Sequence, residues 1–237
     1  MNLIGKTVVL TGASKGIGRA LAVQLAQQGA NLALVARSAS ELNEVKSEVE
    51  KVGAKCLVFV GSVGDEALAK RTISKTVAAF ERIDFMINNA GFGIFGATDS
   101  YSADQWDSVF DTNVKGTFLF SKAALEPMKA QQDGHIINIA SDVAKRVFDG
   151  GSLYCASKYA QEAFSAALRK EVRREGIKVS VVYSGLVDTP FHADPYSERK
   201  QMWLTAEDMA NSIIFIMSQP KHVVIDELMI HPLSQDY

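Results

Sequence analysis

Seven short apolar runs recur along the chain with longer amphipathic segments between them, and this alternation restricts the fold more than any other feature. The runs are 7–11, 31–36, 54–60, 83–88, 135–140, 178–183 and 223–230. Segments 17–28, 39–52, 66–81, 103–129, 153–174 and 205–218 carry apolar residues at helical spacing. Such strand–helix repetition predicts βαβ units on a parallel sheet. Thr7-Val8-Val9-Leu10 and Leu32-Ala33-Leu34-Val35 are almost uniformly apolar, as burial under helices on both faces demands. The expected fold is α/β: a single domain over 1–237, with a doubly wound, Rossmann-type parallel sheet of about seven strands.

Local signals mark several helix ends. Gly29 and Gly53 stand where a left-handed terminus costs least, and Thr205 with Glu207 and Asp208 reads as a capped start with acids in the first turn. No repeat, low-complexity tract or linker divides the chain. With 25 Lys and Arg against 27 Asp and Glu, the formal charge is −2, too balanced for phosphate-backbone binding to be the main task. Cys56 and Cys155 are too few for a disulfide framework, and no His or Cys pair has metal-ligand spacing, so no metal is expected. The opening Met1-Asn2-Leu3-Ile4-Gly5-Lys6 leaves no room for a signal-peptide core, and no apolar stretch is long enough to span a bilayer. A cytoplasmic protein with neither nucleic acid nor membrane as partner is expected.

The first run leads into Thr11-Gly12-Ala13-Ser14-Lys15-Gly16-Ile17-Gly18-Arg19 and then directly into a helix. Glycines there let the backbone turn tightly and approach a pyrophosphate, whose charge meets the N–H groups at the helix start. An ordinary strand-to-helix turn is the alternative, and three glycines in this context outweigh it. The residue closing the second run chooses between the nicotinamide dinucleotides, because an acid there binds the adenine ribose and repels a 2′-phosphate. Ala36 holds that place, Arg37 follows, and Lys15 belongs to the same side. Two cations and no acid predict NADP(H).

Tyr154 and Lys158 are four residues apart in a helical segment and therefore share a face. An ammonium beside a phenol favours the phenolate, lowering a tyrosine pKa from its usual ~10 toward neutrality. Ser141 follows the run 135–140, where a strand's carboxyl end opens on the ligand crevice, and can hold a carbonyl oxygen there. Asn88-Asn89-Ala90-Gly91 ends the preceding run at the same crevice. Asn113, polar among Val109, Phe110, Val114 and Phe118, needs a partner and can equally be a satisfied core amide.

Together these motifs resemble the short-chain dehydrogenase/reductase family in its compact, NADP-preferring form, from about Lys6 to about Thr189. The resemblance implies an oxidoreductase that interconverts a carbonyl (a ketone, diketone or 3-oxo compound) and an alcohol by hydride transfer. It implies Tyr154 as proton donor or acceptor, Ser141 orienting the substrate oxygen, Lys158 lowering the tyrosine pKa and binding the nicotinamide ribose, and Asn113 holding a water in a proton relay. It implies a cofactor site of Gly12, Ser14, Lys15, Gly16, Ile17, Gly18, Arg37, Ser62, Val63, Asn89, Ala90, Gly91, Tyr154, Lys158, Val187 and Thr189. Two positions depart from the family pattern: Ser62 replaces an Asp that contacts adenine, and Ser184 replaces the usual proline before Gly185. The family also implies a substrate lid at about 190–204 and a homodimer or homotetramer, with the apolar faces of 103–129 and 153–174 as candidate interfaces. A catalytically idle NADP(H)-binding sensor or scaffold on the same fold is the alternative, and the intact Ser141, Tyr154, Lys158 and Asn113 set speaks against it. A nucleotide-sugar epimerase or dehydratase would share the Tyr–Lys pair but needs a larger C-terminal domain.

Overall fold

A computed structural model describes residues 3–191 and 202–235. Strands β1 (Thr7–Thr11), β2 (Asn31–Ala36), β3 (Cys56–Val60), β4 (Phe85–Asn88), β5 (Gly134–Ile139), β6 (Ile177–Ser184) and β7 (Glu227–Ile230) form one sheet in the order β3-β2-β1-β4-β5-β6-β7. Every neighbouring pair is parallel. The helices are α1 (Gly16–Gln27), α2 (Ala39–Lys51), α3 (Glu66–Phe80), α4 (Ala103–Phe110), α5 (Gly116–Gln131), α6 (Ser152–Val172) and α7 (Ala206–Met217).

The uniformly apolar strands serve two cores at once. Val8, Leu10, Leu32 and Leu34 pack with Leu21 and Leu25 of α1, Leu42 and Val45 of α2, and Met209 and Ile213 of α7. The alternate residues Val9, Ala33 and Val35 join Leu68 and Ile73 of α3, Leu119 and Phe120 of α5, and Leu168 of α6. Each fully buried Leu or Val contributes about 1.5–3 kcal/mol, so a polar residue on either face of β1 or β2 opposes the fold. The strand order reverses between β1 and β4, the switch point at whose carboxyl side a doubly wound sheet places its ligand crevice.

The helix ends follow their local signals. Gly29 and Gly53 have φ of +83° and +84°, and Thr205 forms a capping box with Asp208. Two elements differ from the expectation. The helix expected over 103–129 is interrupted by a π turn at Asp111–Lys115, with Asn113 fully buried within it. Periodicity conceals this, because the apolar pattern resumes on the far side of the single wide turn. The last strand, expected over 223–230, is confined to Glu227–Ile230. Its approach is held by side chains instead: Lys178 Nζ donates to Val223 O, and Ser180 Oγ donates to Ile225 O at 2.6 Å.

Candidate active site

The carboxyl end of β1 and that of β4 are fastened together before any ligand group is considered. Thr11 Oγ1 accepts from the backbone N–H of Asn89 and of Ala90, each at 3.1 Å. Asn89 Nδ2 donates to Thr11 O and Gly12 O, also at 3.1 Å. The glycine turn is thus set by a side chain just past the end of β4, 77 residues away. Gly18 is required because a Cβ there would collide with Gly12 O. Its part is to let α1 approach the turn rather than to border the crevice.

A cleft of about 520 Å³ runs over this turn. Gly12, Ser14, Lys15, Gly16, Ile17, Arg37, Ser62, Val63, Asn89, Ala90, Gly91 and Thr189 all line it. Arg37 Cζ stands 5.9 Å from the centre of the Phe92 ring, within cation–π range. Lys15 is less free than its sequence position suggests, since its Nζ pairs with Glu41 Oε1 at 2.6 Å. The expected absence of an acid from this end of the cleft is therefore corrected. Glu41 also lines it, brought in by the first turn of α2, and Lys15, together with Ser38 and Ser14, holds its carboxyl below the usual range.

A second lobe of about 380 Å³ adjoins the first and shares Ile17, Asn89, Gly91, Thr189 and Phe191 with it. Ser141, Tyr154, Lys158 and Val187 line this lobe. Ser141 Oγ donates to Asp142 Oδ1 at 3.1 Å and hydrogen-bonds Tyr154. Lys158 Nζ donates to Ile139 O at 3.1 Å and Gln161 Oε1 at 3.0 Å, and Gln161 Nε2 donates to Thr117 Oγ1 at 2.9 Å. These bonds direct a buried ammonium to the lobe wall, 5.8 Å from the centre of the Tyr154 ring.

Burial governs the titration of both groups. It raises the Tyr154 phenol above its ordinary value, outweighing the Ser141 hydrogen bond, with Asp142 adding a like-signed push. It lowers Lys158 to about 7. The expected lowering of the tyrosine by the lysine is thus absent among the protein's own groups. Desolvation disfavours phenolate and ammonium alike, so the pair rests toward its neutral forms.

Asn113 borders neither lobe. Its Oδ1 accepts from Phe92 N at 3.0 Å, and its Nδ2 donates to Phe92 O at 2.9 Å and Ser157 Oγ at 3.0 Å. Of the two alternatives left by the sequence, its side chain takes that of a satisfied amide, tying the loop after β4 to α6.

Aromatic side chains supply the rest of the second lobe. Phe95 makes edge contact with Tyr154 at 5.5 Å between ring centres, and Phe191 lies 5.6 Å from Tyr154. Phe148 lies 5.8 Å from Phe95. Sequence reading missed these three, because isolated phenylalanines in loops carry no periodic signal. Of the expected 190–204 lid, Pro190 and Phe191 line the first cleft, and residues 192–201 lie outside those described.

The family model for short chain dehydrogenases matches residues 6–200. The chain belongs to that family. This short chain dehydrogenase is 34% identical to an uncharacterized oxidoreductase of Staphylococcus epidermidis, over 96% of its own length and 97% of the relative's. It is similar in structure to an alcohol dehydrogenase of the archaeon Thermococcus sibiricus complexed with 5-hydroxy-NADP, with TM-score 0.91, 27% identity and 98% of each chain covered. A serine dehydrogenase complexed with NADP+ superposes with TM-score 0.89 at 28% identity, covering 98% of this chain and 96% of that one. This short chain dehydrogenase is therefore an oxidoreductase with a single-domain, seven-stranded Rossmann-like fold.

Proposed function

We propose that this enzyme binds NADP(H) along the joined clefts and interconverts a carbonyl compound and its alcohol by hydride transfer, with Tyr154 as general acid/base. The observation that carries this reading is the convergence of Ser141, Tyr154 and Lys158 on a lobe continuous with the cleft over the glycine turn.

The dinucleotide fits the residues present. The N-terminus of α1 offers N–H groups to a pyrophosphate, Gly18 permits the close turn, and Lys15 and Arg37 flank Ala36 where a 2′-phosphate would lie. The NADP-type ligands of the two solved relatives support the same choice. When bound, the nicotinamide supplies or takes the hydride. Ser141 holds the substrate oxygen, and Tyr154 gives that oxygen a proton in reduction or takes it in oxidation. Burial keeps the phenol protonated, the form that reduction requires. Lys158, at about 7, can exchange a proton near neutrality and pass it to the tyrosine. Asn113 acts as a positioning residue, fixing Phe92 against the helix that carries Tyr154 and Lys158.

The enzyme is further assigned as a cytoplasmic homodimer or homotetramer with a small-molecule substrate. No helix among the described residues is long and apolar enough to cross a membrane. Phe118 on α5 is 42% exposed while packing edge-on against Phe164 of α6, an apolar face suited to a symmetry mate. The test of the activity is a panel of ketones, diketones, 3-oxoacyl thioesters and 3-hydroxy acids, followed by NADPH absorbance. Turnover of at least one carbonyl compound by wild type is expected, and NADPH binding without turnover of any would favour an idle sensor.

A further inference from the structure

Beyond β7 the chain doubles back, with Gln235 N donating to Pro232 O at 3.0 Å. This turn carries Gln235 into the lobe that contains Tyr154. Its amide is held at both ends: Nε2 donates to Asp142 Oδ2 at 2.8 Å, and Oε1 accepts from Leu186 N at 2.8 Å. The two partners belong to different segments lining that lobe. Asp142 receives Ser141 Oγ on its other oxygen, and Leu186 opens the loop whose Val187 and Thr189 line the clefts.

A carboxamide suits this place where a charged side chain does not. A carboxylate partner requires a donor and a backbone N–H requires an acceptor; an ionised Glu lacks the first, and Lys or Arg lacks the second. The approach is close enough to dictate its neighbour, since a Cβ at Gly185 would collide with Gln235 Oε1 and lie 2.6 Å from His231 Cδ2. Ser184 stands where a proline would stiffen this loop. Here stiffness comes from outside: Gly185 N bonds Ile230 O at 2.8 Å, Asp188 N bonds Leu204 O at 2.8 Å, and Leu186 N bonds Gln235.

We propose that Gln235 is a positioning and specificity-determining residue: it clamps the loop after β6 to the Ser141–Asp142 turn and walls the substrate lobe. The tail then limits the size of carbonyl compound admitted beside Phe95, Phe148 and Phe191. The size limit rests on the carbonyl-reducing function proposed above, while the clamp does not.

Gln235→Ala removes both bonds and opens space, whereas Gln235→Met removes both bonds and keeps the volume. Hydrogen exchange of peptides containing Leu186 should quicken about tenfold in both variants, the equivalent of one lost buried hydrogen bond. With Gln235→Ala, kcat/KM for a bulky aryl ketone relative to a small ketone should rise about tenfold, while Gln235→Met leaves the ratio near wild type. NADPH titrations by fluorescence should show no more than about a threefold change in either, separating this role from general loss of structure. Unchanged exchange overturns the clamp, and an unchanged size ratio in Gln235→Ala overturns the wall. If wild type reduces no carbonyl compound, the proposed function and the size limit fall together, and exchange at Leu186 still decides the clamp.

Discussion

Lys15 and Glu41 form an ion pair of 2.6 Å at the end of the cleft where a 2′-phosphate would lie. If Lys15 takes the 2′-phosphate as proposed, it exchanges a carboxylate for a phosphate when NADPH binds, and Glu41 then stands beside the new charge. Both side chains are well exposed, at 57% and 32%, so the pair is worth little more than an ordinary surface ion pair. Glu41→Gln should therefore tighten NADPH only about two- to fivefold and leave NADH unchanged, as paired fluorescence titrations would show. Weaker NADPH binding in this variant would mean that Glu41 serves chiefly to orient Lys15.

Arg37, unlike Lys15, lies against an aromatic ring, that of Phe92. A charge-assisted contact to phosphate is worth roughly 1.5–3 kcal/mol, so Arg37→Ala should weaken NADPH about ten- to a hundredfold and spare NADH. Equal loss for both cofactors would remove Arg37 from the 2′-phosphate site.

Tyr154→Phe keeps the ring that Phe95 and Phe191 contact and deletes only the hydroxyl. Turnover should fall by about 10²–10⁴-fold with NADPH affinity nearly intact. Residual activity within a few-fold of wild type would exclude Tyr154 as the acid/base.

The parts legible in the sequence are those in which a local pattern and a long-range requirement coincide. β1 and β2 were readable to the residue because burial on both faces forces unbroken apolar runs. Ser141, Tyr154 and Lys158 could be grouped because strand ends and helix periodicity place them. Other features depend on chain segments that meet only in space. Glu41 reaches Lys15 from another helix, Gln235 reaches Asp142 across 93 residues, and neither carries a local signal of its partner. The π turn escaped for a different reason: one wide turn shifts the register of Asn113 without disturbing composition.

The outer face of α5 is the place to test assembly. Phe118 is 42% exposed, and Lys122 Nζ lies 5.7 Å from the centre of its ring. Light scattering at micromolar concentration should give a dimer or tetramer mass for wild type, and Phe118→Glu should move the population toward monomer by burying a charge at the interface. A monomeric wild type would leave that face without the proposed mate.

His135 offers a test of stability separate from the chemistry. It is buried at the start of the sheet, with Nε2 2.7 Å from Ser180 Oγ, and burial, reinforced by the Lys178 charge, lowers its pKa to about 3. The unfolded chain binds this proton near the ordinary value of about 6.5, so between these limits the unfolded state holds more protons than the folded one. The stability linked to His135 is thus complete above about pH 6.5 and declines as the pH falls toward 3. His135→Asn retains a polar group opposite Ser180 but cannot titrate, and should flatten this part of the acid limb. Urea unfolding of wild type and variant at pH 7 and pH 5 would check it: the wild-type midpoint should drop more between the two. Equal drops would show that the imidazole is not held neutral in the fold and that other groups account for the acid sensitivity.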